Sequence, residues 1–344
     1  MNVVLCSSNL YAKCTGVAIF SLLENNRNLK ELNIFVLTTD MSKDNQQKIT
    51  DMCHKYGRNI TVIEALDVLE KAQRDLNLLD FKGGLNTYAR AMANMFMPMD
   101  IKKALFIDSD LMITGSLDGL ENLDMGNNIV AGVYEISVMI ADLCYENLEL
   151  LNQCSHYINY GVAYINLENW RKYDGDEMIR KCVNEASVPF RIAEQSILNL
   201  AFKNHTMLLP VKYNFSTALH GIPYEKICKW YQRKKVFEKN EYEEAKKSPI
   251  IVHFIGDYFN RPWYEDNICR YKDEYMTYYL ASPWGNEPLD RKPNNISKPF
   301  QLYYGVLVWL RKNGFDTAYF KIRYRWIQWL REKNPKIDSI KRRS

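Results

Sequence analysis

The 344-residue sequence lacks the cysteine and histidine spacing of a zinc site. Its eight cysteines are scattered along the chain, and no two of them have the C-x-x-C spacing that structural zinc sites use. No cluster of cysteine and histidine replaces that pattern. The sequence therefore excludes a zinc module and favours free thiols in a reducing compartment.

Long hydrophobic runs are also missing. The longest apolar stretch in the C-terminal part, LYYGVLVWL at residues 302–310, has nine residues, whereas a membrane-spanning helix needs about 20. At the start, Met1 and Asn2 lead directly into VVLC, without the basic segment and apolar core of a signal peptide. We therefore expect a cytoplasmic protein.

Most of the chain lacks an excess of positive charge. Residues 300–344 contain eleven Lys or Arg and three acidic residues, which gives this segment a net charge of +8. Because the whole chain carries +4, the first 299 residues carry −4. The basic character belongs to the C-terminal segment, so we expect no nucleic-acid-binding surface on the body of the protein.

The composition is otherwise that of a soluble globular protein, with 47% hydrophobic and 25% charged residues. Short β-rich runs predict strands at residues 3–8, 33–40, 59–65, 103–108, 128–135, 160–167 and 249–256. Helical patterns predict helices at residues 12–26, 42–57, 85–98, 168–186 and 193–203. This alternation predicts an α/β fold with a mostly parallel, doubly wound sheet flanked by helices.

The last part of the chain differs in composition from the rest. Residues 282–299 are rich in Pro, Asn and Ser and predict a linker after a domain at residues 1–281. In residues 300–344, apolar side chains at helical spacing predict an amphipathic helix (Phe315, Tyr319, Ile322, Trp326 and Leu330). Its basic surroundings favour an anionic membrane interface, at the inner face of the plasma membrane. Docking of this helix on its own domain is the alternative.

Two carboxylates follow the predicted strand at 103–108. Asp108, Ser109 and Asp110 stand where ligands bind in open α/β sheets, beyond the carboxyl end of a strand. Carboxylate oxygens suit a hard cation such as Mg²⁺ or Mn²⁺, which would also remove the repulsion between the two acids. A solvated turn is the alternative for this short pattern.

A second polar cluster follows the predicted strand at 249–256. His253 could provide a third metal ligand through a neutral imidazole. Gly256 would let the backbone approach a phosphate, and Arg261 could neutralise a leaving pyrophosphate. The alternative is a core histidine followed by an ordinary turn.

Three segments together resemble glycosyltransferase family 8, which includes bacterial lipopolysaccharide galactosyl- and glucosyltransferases and glycogenin. They are YARAMANMFMPMDIKKALFIDSDLMITGSL, INYGVAYINLENWR and VHFIGDYFNRPW. With the opening VLCSSNLYA, the resemblance extends over residues 1–280 in the family's order. It implies a GT-A nucleotide-sugar transferase fold, which is Rossmann-like.

The resemblance also implies a set of site residues. Asp108, Asp110 and His253 would hold Mn²⁺, or Mg²⁺, against the diphosphate of the donor. The implied donor-binding residues are Tyr11, Ser8, Asn9, Arg90, Asp108, Ser109, Asp110, Asn159, Gly256 and Arg261. The implied catalytic residues facing the transferred sugar are Gln195, Glu194 and Glu135.

Each of these assignments has a structural alternative. Tyr11 and Arg90 could pack or cap their helices, and Asn159 could stabilise a turn. Glu194 could be an exposed acid favoured by a helix N-terminus.

The sequence departs from the family pattern at four places. The first loop has Ser8 and Asn9 where the family often has Asp before Asn or Tyr, and Glu replaces the usual Asp at positions 135 and 194. Arg261 replaces Lys and stands two residues further from Gly256 than usual. Arg keeps the charge but changes the geometry of a phosphate contact.

The implied function is a retaining transfer of galactose or glucose from a UDP-sugar to a glycan or glycolipid acceptor. Lipopolysaccharide or surface polysaccharide synthesis is the expected context. Since Gln195 is a poor nucleophile, we favour front-face attack by the acceptor. A non-catalytic protein that binds a sugar nucleotide is the alternative. A nucleotidyltransferase is disfavoured, because CSSNLYAKC is not a glycine-rich, basic phosphate loop.

Overall fold

The structure is a computed structural model, which gives the fold of most of the chain. It describes residues 1–78, 84–135, 154, 156–186, 190, 193–220, 222–230, 237–255, 260–291, 298–315, 317–319, 321–322 and 325. The strands are β1 (Asn2–Ser7), β2 (Asn33–Thr38), β3 (Asn59–Glu64), β4 (Lys103–Ile107), β5 (Leu111–Ile113), β6 (Val130–Tyr134), β7 (Ile158–Asn166), β8 (Thr206–Leu208), β9 (Phe215–Ser216) and β10 (Ile251–His253). The α-helices are α1 (Ala12–Asn25), α2 (Lys43–Lys55), α3 (Leu66–Asp75), α4 (Ala93–Phe96), α5 (Asp118–Glu121), α6 (Leu167–Lys172), α7 (Gly175–Glu185), α8 (Ala193–Ala201), α9 (Tyr224–Trp230), α10 (Lys239–Lys247), α11 (Lys272–Ala281) and α12 (Lys298–Lys312).

Among the described residues, seven strands form a central sheet in the order β3-β2-β1-β4-β7-β6-β8. The pairs of β1 with β2, β2 with β3, β1 with β4 and β6 with β8 are parallel. β7 runs antiparallel to both of its neighbours, β4 and β6. A smaller sheet has the order β5-β10-β9. The predicted mixed α/β fold with a mostly parallel sheet is confirmed.

The central strands are buried on both faces of the sheet. In β1, Val3 and Leu5 pack into one hydrophobic cluster, while Val4 between them packs into the other. Ile34 and Phe35 of β2 likewise pack into different clusters, one on each face of the sheet. Successive strand residues point to opposite faces, so a continuous apolar run fits a sheet covered by helices on both sides.

Two predicted helices differ from the structure. Residues 85–98 form a 3₁₀ helix over Leu85–Met92, followed only by the short α4. The side chains from Tyr88 to Met92 are all buried. The segment therefore lacks the alternation of buried and exposed faces by which periodicity identifies an α-helix. The helix predicted at 168–186 is divided into α6 and α7 at Asp174, whose backbone is left-handed with φ of 53°.

Residues 282–291, which the sequence predicts as linker, pack against the N-terminal helices. The Trp284 side chain is 1% exposed and donates a hydrogen bond to Asn45 Oδ1 at 3.0 Å. It lies so close to Gly16 that an added Cβ there would be 2.1 Å from the indole ring. Lys13 Nζ forms an ion pair of 2.6 Å with Asp290 Oδ1. These contacts join this segment to α1 and α2.

Helix α12 packs one face on the body of the protein. Leu307 is fully buried, and Arg311 donates hydrogen bonds to the carbonyl oxygens of His220 and Thr217. Further along, the Tyr319 hydroxyl accepts a hydrogen bond from Asn260 Nδ2 at 3.1 Å. The remainder of the predicted amphipathic helix, with Trp326 and Leu330, lies outside the described residues. The division into domain, linker and tail stays a prediction.

Each helix within the described ranges is too short or too polar to span a bilayer.

Candidate active site

The paired carboxylates stand where β4 ends and β5 begins. The backbone N–H of Asp108 donates to the Gly161 carbonyl at 2.9 Å, which extends the pairing of β4 with β7. The carbonyl of Asp110 accepts from the Phe254 N–H at 2.9 Å, just beyond β10. Both carboxylates are therefore carried on backbone that the two sheets hold in place.

His253 reaches these acids through the smaller sheet. The antiparallel register of β10 and β5 pairs His253 with Leu111, beside Asp110. The imidazole Nε2 lies 3.2 Å from Asp110 Oδ1 and 3.6 Å from Asp108 Oδ2, and the side chain is almost completely buried. One ligand atom from each residue lies within 4.8 Å of the others. Two carboxylate oxygens and one imidazole nitrogen fit a divalent cation.

Gly161 leaves the room that this cluster needs. A Cβ added at this position would lie 2.2 Å from His253 Cε1 and 2.8 Å from both Asn159 Oδ1 and Asp108 Oδ2. Real side chains do not approach so closely, so only glycine fits without moving the proposed ligands. The donor set and this close approach together match a metal centre.

Attraction between the charged groups of the cluster outweighs the effect of burial on their pKa values. Burial disfavours the charged imidazole, but Asp110 and then Asp108 outweigh it and raise the pKa of His253. Burial likewise disfavours the carboxylate of Asp110, but His253 and Arg261 outweigh it and lower its pKa. Positive charge at this position is thus stabilised by the surrounding acids.

Arg90 joins Asp108 of the candidate metal site to α8. Its guanidinium donates hydrogen bonds to Asp108 and, at 3.1 Å from Nη1, to Glu194 Oε1. Both Arg90 and Glu194 are buried. Burial raises the pKa of Glu194 to about 8, although the attraction of Arg90 works in the opposite direction. The interpretation of Glu194 as an exposed helix-terminal acid is therefore wrong.

The remaining predicted sugar-facing residues form a second network. Glu135 Oε2 accepts hydrogen bonds from the side-chain amides of Asn159 and, at 3.3 Å, Gln195. Gln195 Oε1 in turn accepts from the Tyr160 N–H at 3.1 Å. The pairing of β6 with β7 shifts register after Gly132, which leaves this part of β7 irregular. Such bulges re-aim side chains beside functional sites.

A cavity of about 260 Å³ opens beside the acids. Its lining includes eight residues that the sequence predicts for the site: Ser8, Tyr11, Arg90, Asp108, Ser109, Asp110, Glu194 and Gln195. The other lining residues are Cys6, Ser7, Asn86, Thr87 and Gly161. Within the described part of the chain, the buried Asn86 Oδ1 and Arg90 Nε lack hydrogen-bond partners. A bound polar ligand would satisfy such atoms.

Comparison with known proteins identifies the family. The model of glycosyl transferase family 8 matches residues 2–267. The chain belongs to glycosyltransferase family 8. The family resemblance predicted from the sequence is thereby confirmed.

Family 8 relatives align over most of this chain. It is 24% identical over 289 residues to general stress protein A of Bacillus subtilis, covering 83% of this chain and 94% of that protein. It is 25% identical over 323 residues to a lipopolysaccharide 1,2-glucosyltransferase of Escherichia coli, covering 91% and 87%. The solved structure of galactosyltransferase LgtC with donor and acceptor sugar analogs is 20% identical. It superposes with a TM-score of 0.65 over 82% of this chain and 96% of that one. The GT-A fold is therefore confirmed.

Not every predicted donor contact faces the cavity of this family 8 protein. Asn9 is absent from its lining, because its Oδ1 accepts hydrogen bonds from the Ser42 N–H and the Asn45 amide at the start of α2. Ser109 does line the cavity, but its hydroxyl accepts a hydrogen bond from Thr15 Oγ1 and donates one to the Cys6 carbonyl. These contacts give both side chains a role in joining β1, α1 and α2.

Two further predicted donor contacts, Gly256 and Arg261, belong to the segment VHFIGDYFNRPW. Gly256 lies outside the described residues. The Arg261 guanidinium donates to the Tyr11 hydroxyl at 3.2 Å and lies over the Trp263 ring. Burial opposes the positive charge of Arg261, but Asp110 outweighs it and raises its pKa. Arg261 thus brings a permanent positive charge beside Tyr11, which lines the cavity.

Sequence reasoning missed Asn214, which contacts His253 directly. Asn214 Oδ1 lies 2.9 Å from His253 Nδ1, and the Asn214 side chain is 6% exposed. The available signal was a lone amide between the aromatic residues Tyr213 and Phe215, which are also buried. A buried polar residue in an apolar run requires a partner, but the sequence does not name it.

Proposed function

We propose that this glycosyltransferase moves a hexose, galactose or glucose, from a UDP-sugar to a glycan or glycolipid acceptor with retention of configuration. The observation that carries the proposal is the convergence of Asp108, Asp110 and His253 beside a polar cavity. The similarity to a lipopolysaccharide 1,2-glucosyltransferase supports a role in lipopolysaccharide or surface polysaccharide synthesis. The likeness to galactosyltransferase LgtC supports the fold that this chemistry requires.

Asp108, Asp110 and His253 would hold Mn²⁺ or Mg²⁺. A divalent cation bound there would counter the negative charge that develops on the departing diphosphate. Arg261 adds a fixed positive charge near the same position, since it interacts electrostatically with Asp110. Tyr11, which lines the cavity and contacts Arg261, is suited to stack on the uracil ring.

The hydrogen bonds of Gln195 favour front-face attack. Its carbonyl oxygen accepts from the Tyr160 N–H, and its NH₂ group donates to Glu135. Both ends of the amide are therefore engaged with the protein, and a neutral amide oxygen is a weak nucleophile. Transfer on the face of the departing diphosphate needs no covalent intermediate on this side chain.

The exposed face of α12 supports peripheral binding to an anionic membrane. Leu302 and Trp309 are 74% and 58% exposed, and Val306 and Phe315 are also exposed. The Trp309 and Phe315 rings stack with their centroids 5.7 Å apart. Exposed basic side chains follow at Lys312, Lys321 and Arg325. An apolar face bordered by positive charge suits a membrane surface, where a glycolipid acceptor would be found.

A panel of nucleotide sugars tests this function. Slow hydrolysis of one or more UDP-hexoses, dependent on Mn²⁺, is the expected result, followed by transfer to lipopolysaccharide core or a simple hexoside. Binding of UDP or a UDP-hexose by calorimetry is measured in parallel. Binding without hydrolysis or transfer for any donor would instead support the non-catalytic sugar-nucleotide-binding alternative.

A further inference from the structure

Asn214 connects the two polar networks of the site. It follows the 3₁₀ turn Val211–Tyr213 and precedes β9, which pairs with β10. Its side-chain oxygen lies 2.9 Å from His253 Nδ1, and its nitrogen lies 2.8 Å from Asn159 Oδ1. Hydrogen bonds thus continue from Glu135 through Asn159 and Asn214 to His253.

The orientation of the Asn214 amide follows from a backbone group. The Gly161 N–H, which can only donate, lies 2.9 Å from the Asn159 side chain, so the atom facing it must be the oxygen. Asn214 approaches this same oxygen and must therefore present its NH₂ group. The carbonyl oxygen of Asn214 is then the atom that faces His253 Nδ1.

This orientation of the Asn214 amide decides which nitrogen of the His253 imidazole carries a proton. A carbonyl oxygen accepts and cannot donate, so Nδ1 of His253 carries the proton. In the neutral ring, Nε2 then holds the lone pair. Nε2 is the nitrogen that lies 3.2 Å from Asp110 Oδ1 and 3.6 Å from Asp108 Oδ2. A lone pair facing two carboxylates is unfavourable, so Nε2 holds a second proton when no metal is bound and would direct its lone pair to a bound metal cation.

We propose that Asn214 is a positioning residue that fixes the Nδ1–H tautomer of His253 and so directs its Nε2 lone pair to a divalent cation. The proposal rests on the metal site of the proposed function. Metal-bound histidines commonly donate their second nitrogen to such a partner, which orients the ring and raises its basicity. Since Asn159 shares the network with Glu135, the same bond would couple the metal site to the sugar side of the cavity.

The test compares wild type with Asn214→Ala and a matched control, Asn169→Ala. Asn169 is an equally buried amide that donates to the Gly126 and Asn128 carbonyls outside the site. Mn²⁺ affinity is measured by electron paramagnetic resonance. We expect Asn214→Ala to weaken binding by about 10- to 100-fold and the control to leave it unchanged.

Imidazole-nitrogen NMR of histidine-labelled protein reads the tautomer directly, at mildly alkaline pH without metal. The His253 signals are assigned with His253→Gln. Wild type should keep Nδ1–H in both the protonated and the neutral ring, and the neutral ring of Asn214→Ala should gain the tautomer with Nε2–H alone. If that variant does not fold, Asn214→Asp, which keeps an acceptor toward Nδ1, should retain Nδ1–H.

Two results would overturn the proposed role of Asn214 and leave the metal site itself standing. One is wild-type Mn²⁺ affinity in folded Asn214→Ala, and the other is a neutral imidazole with Nε2–H and no Nδ1–H in wild type or Asn214→Asp. Absence of Mn²⁺ binding by the wild type would overturn the metal site itself, and the role of Asn214 with it.

Discussion

Arg90 and Glu194 form a buried ion pair in which Nη1 lies 3.1 Å from Oε1. The two residues are 104 positions apart in the sequence. They meet because the 3₁₀ helix Leu85–Met92 packs against α8. Arg90 also donates to Asp108, so one guanidinium contacts both a candidate metal ligand and Glu194. Because burial raises the pKa of Glu194, this arrangement makes the stability of the protein depend on pH.

Glu194→Gln should change how stability depends on pH. Burial raises the pKa of Glu194 to about 8, above the value of 4.5 for an unperturbed glutamate. Between these values the folded state holds a proton that the unfolded state has lost, so raising the pH destabilises the wild type. Glutamine cannot titrate. We therefore expect the Tm of Glu194→Gln, relative to that of wild type, to rise between about pH 5 and pH 8.

The Tm of both proteins is followed by differential scanning calorimetry without metal or donor. Glutamine keeps a carbonyl oxygen that can accept from Arg90, so the pH dependence of the Tm difference reports the titration of Glu194. A Tm difference that stays constant over this pH range would show that Glu194 does not titrate there.

Asp108→Asn and Asp110→Asn should each abolish activity that depends on a divalent cation. Each change replaces an anionic ligand by a neutral amide while keeping its size, so we expect Mn²⁺ affinity to fall by about 100-fold or more. Donor hydrolysis and Mn²⁺ binding are measured together. The control is Asp51→Asn, an exposed acid on α2 that accepts from Gln47. Full activity of either site variant in EDTA would rule out the metal role.

Gly161→Ala should weaken metal binding without removing a ligand. Its methyl group would occupy space now taken by His253, Asn159 and Asp108, so the imidazole and carboxylate must separate. We expect a loss in Mn²⁺ affinity of about tenfold or more, as for other changes that disturb ligand orientation. Gly305→Ala is the matched control, since a Cβ there meets no atom within 4 Å. Unchanged affinity in a folded Gly161→Ala protein would contradict the close packing at this position.

Trp309→Ser and Leu302→Ser should reduce binding to anionic vesicles. Each removes an exposed apolar side chain from α12, and the lost burial in the lipid interface corresponds to about tenfold in affinity per residue. Co-sedimentation with phosphatidylglycerol vesicles measures the effect, with phosphatidylcholine vesicles testing the need for negative charge. The control is Leu280→Ser on α11, a leucine of similar exposure. Equal loss with Leu280→Ser would mean that α12 has no special role.

The sequence by itself determined the fold class and the candidate metal ligands. Strand and helix patterns alternate because a buried parallel sheet needs apolar strands and covering helices, and those patterns are local. Asp108, Asp110 and His253 were candidate ligands because they follow or end predicted strands. The resemblance to glycosyltransferase family 8 then implied that they act as one set. The seven predicted strands correspond to strands of the structure, with differences mainly at their ends.

Contacts between distant parts of the chain were decided only by the tertiary structure. The register of β10 against β5 places His253 beside Asp110, 143 residues away. The irregular pairing of β7 turns Asn159 toward Asn214, and α2 engages the side chain of Asn9. Hydrogen bonds between side chains depend on distances and directions that no spacing along the sequence encodes. For that reason the sequence could name the candidate metal ligands, whereas only the fold showed that Asn214 contacts the imidazole of His253.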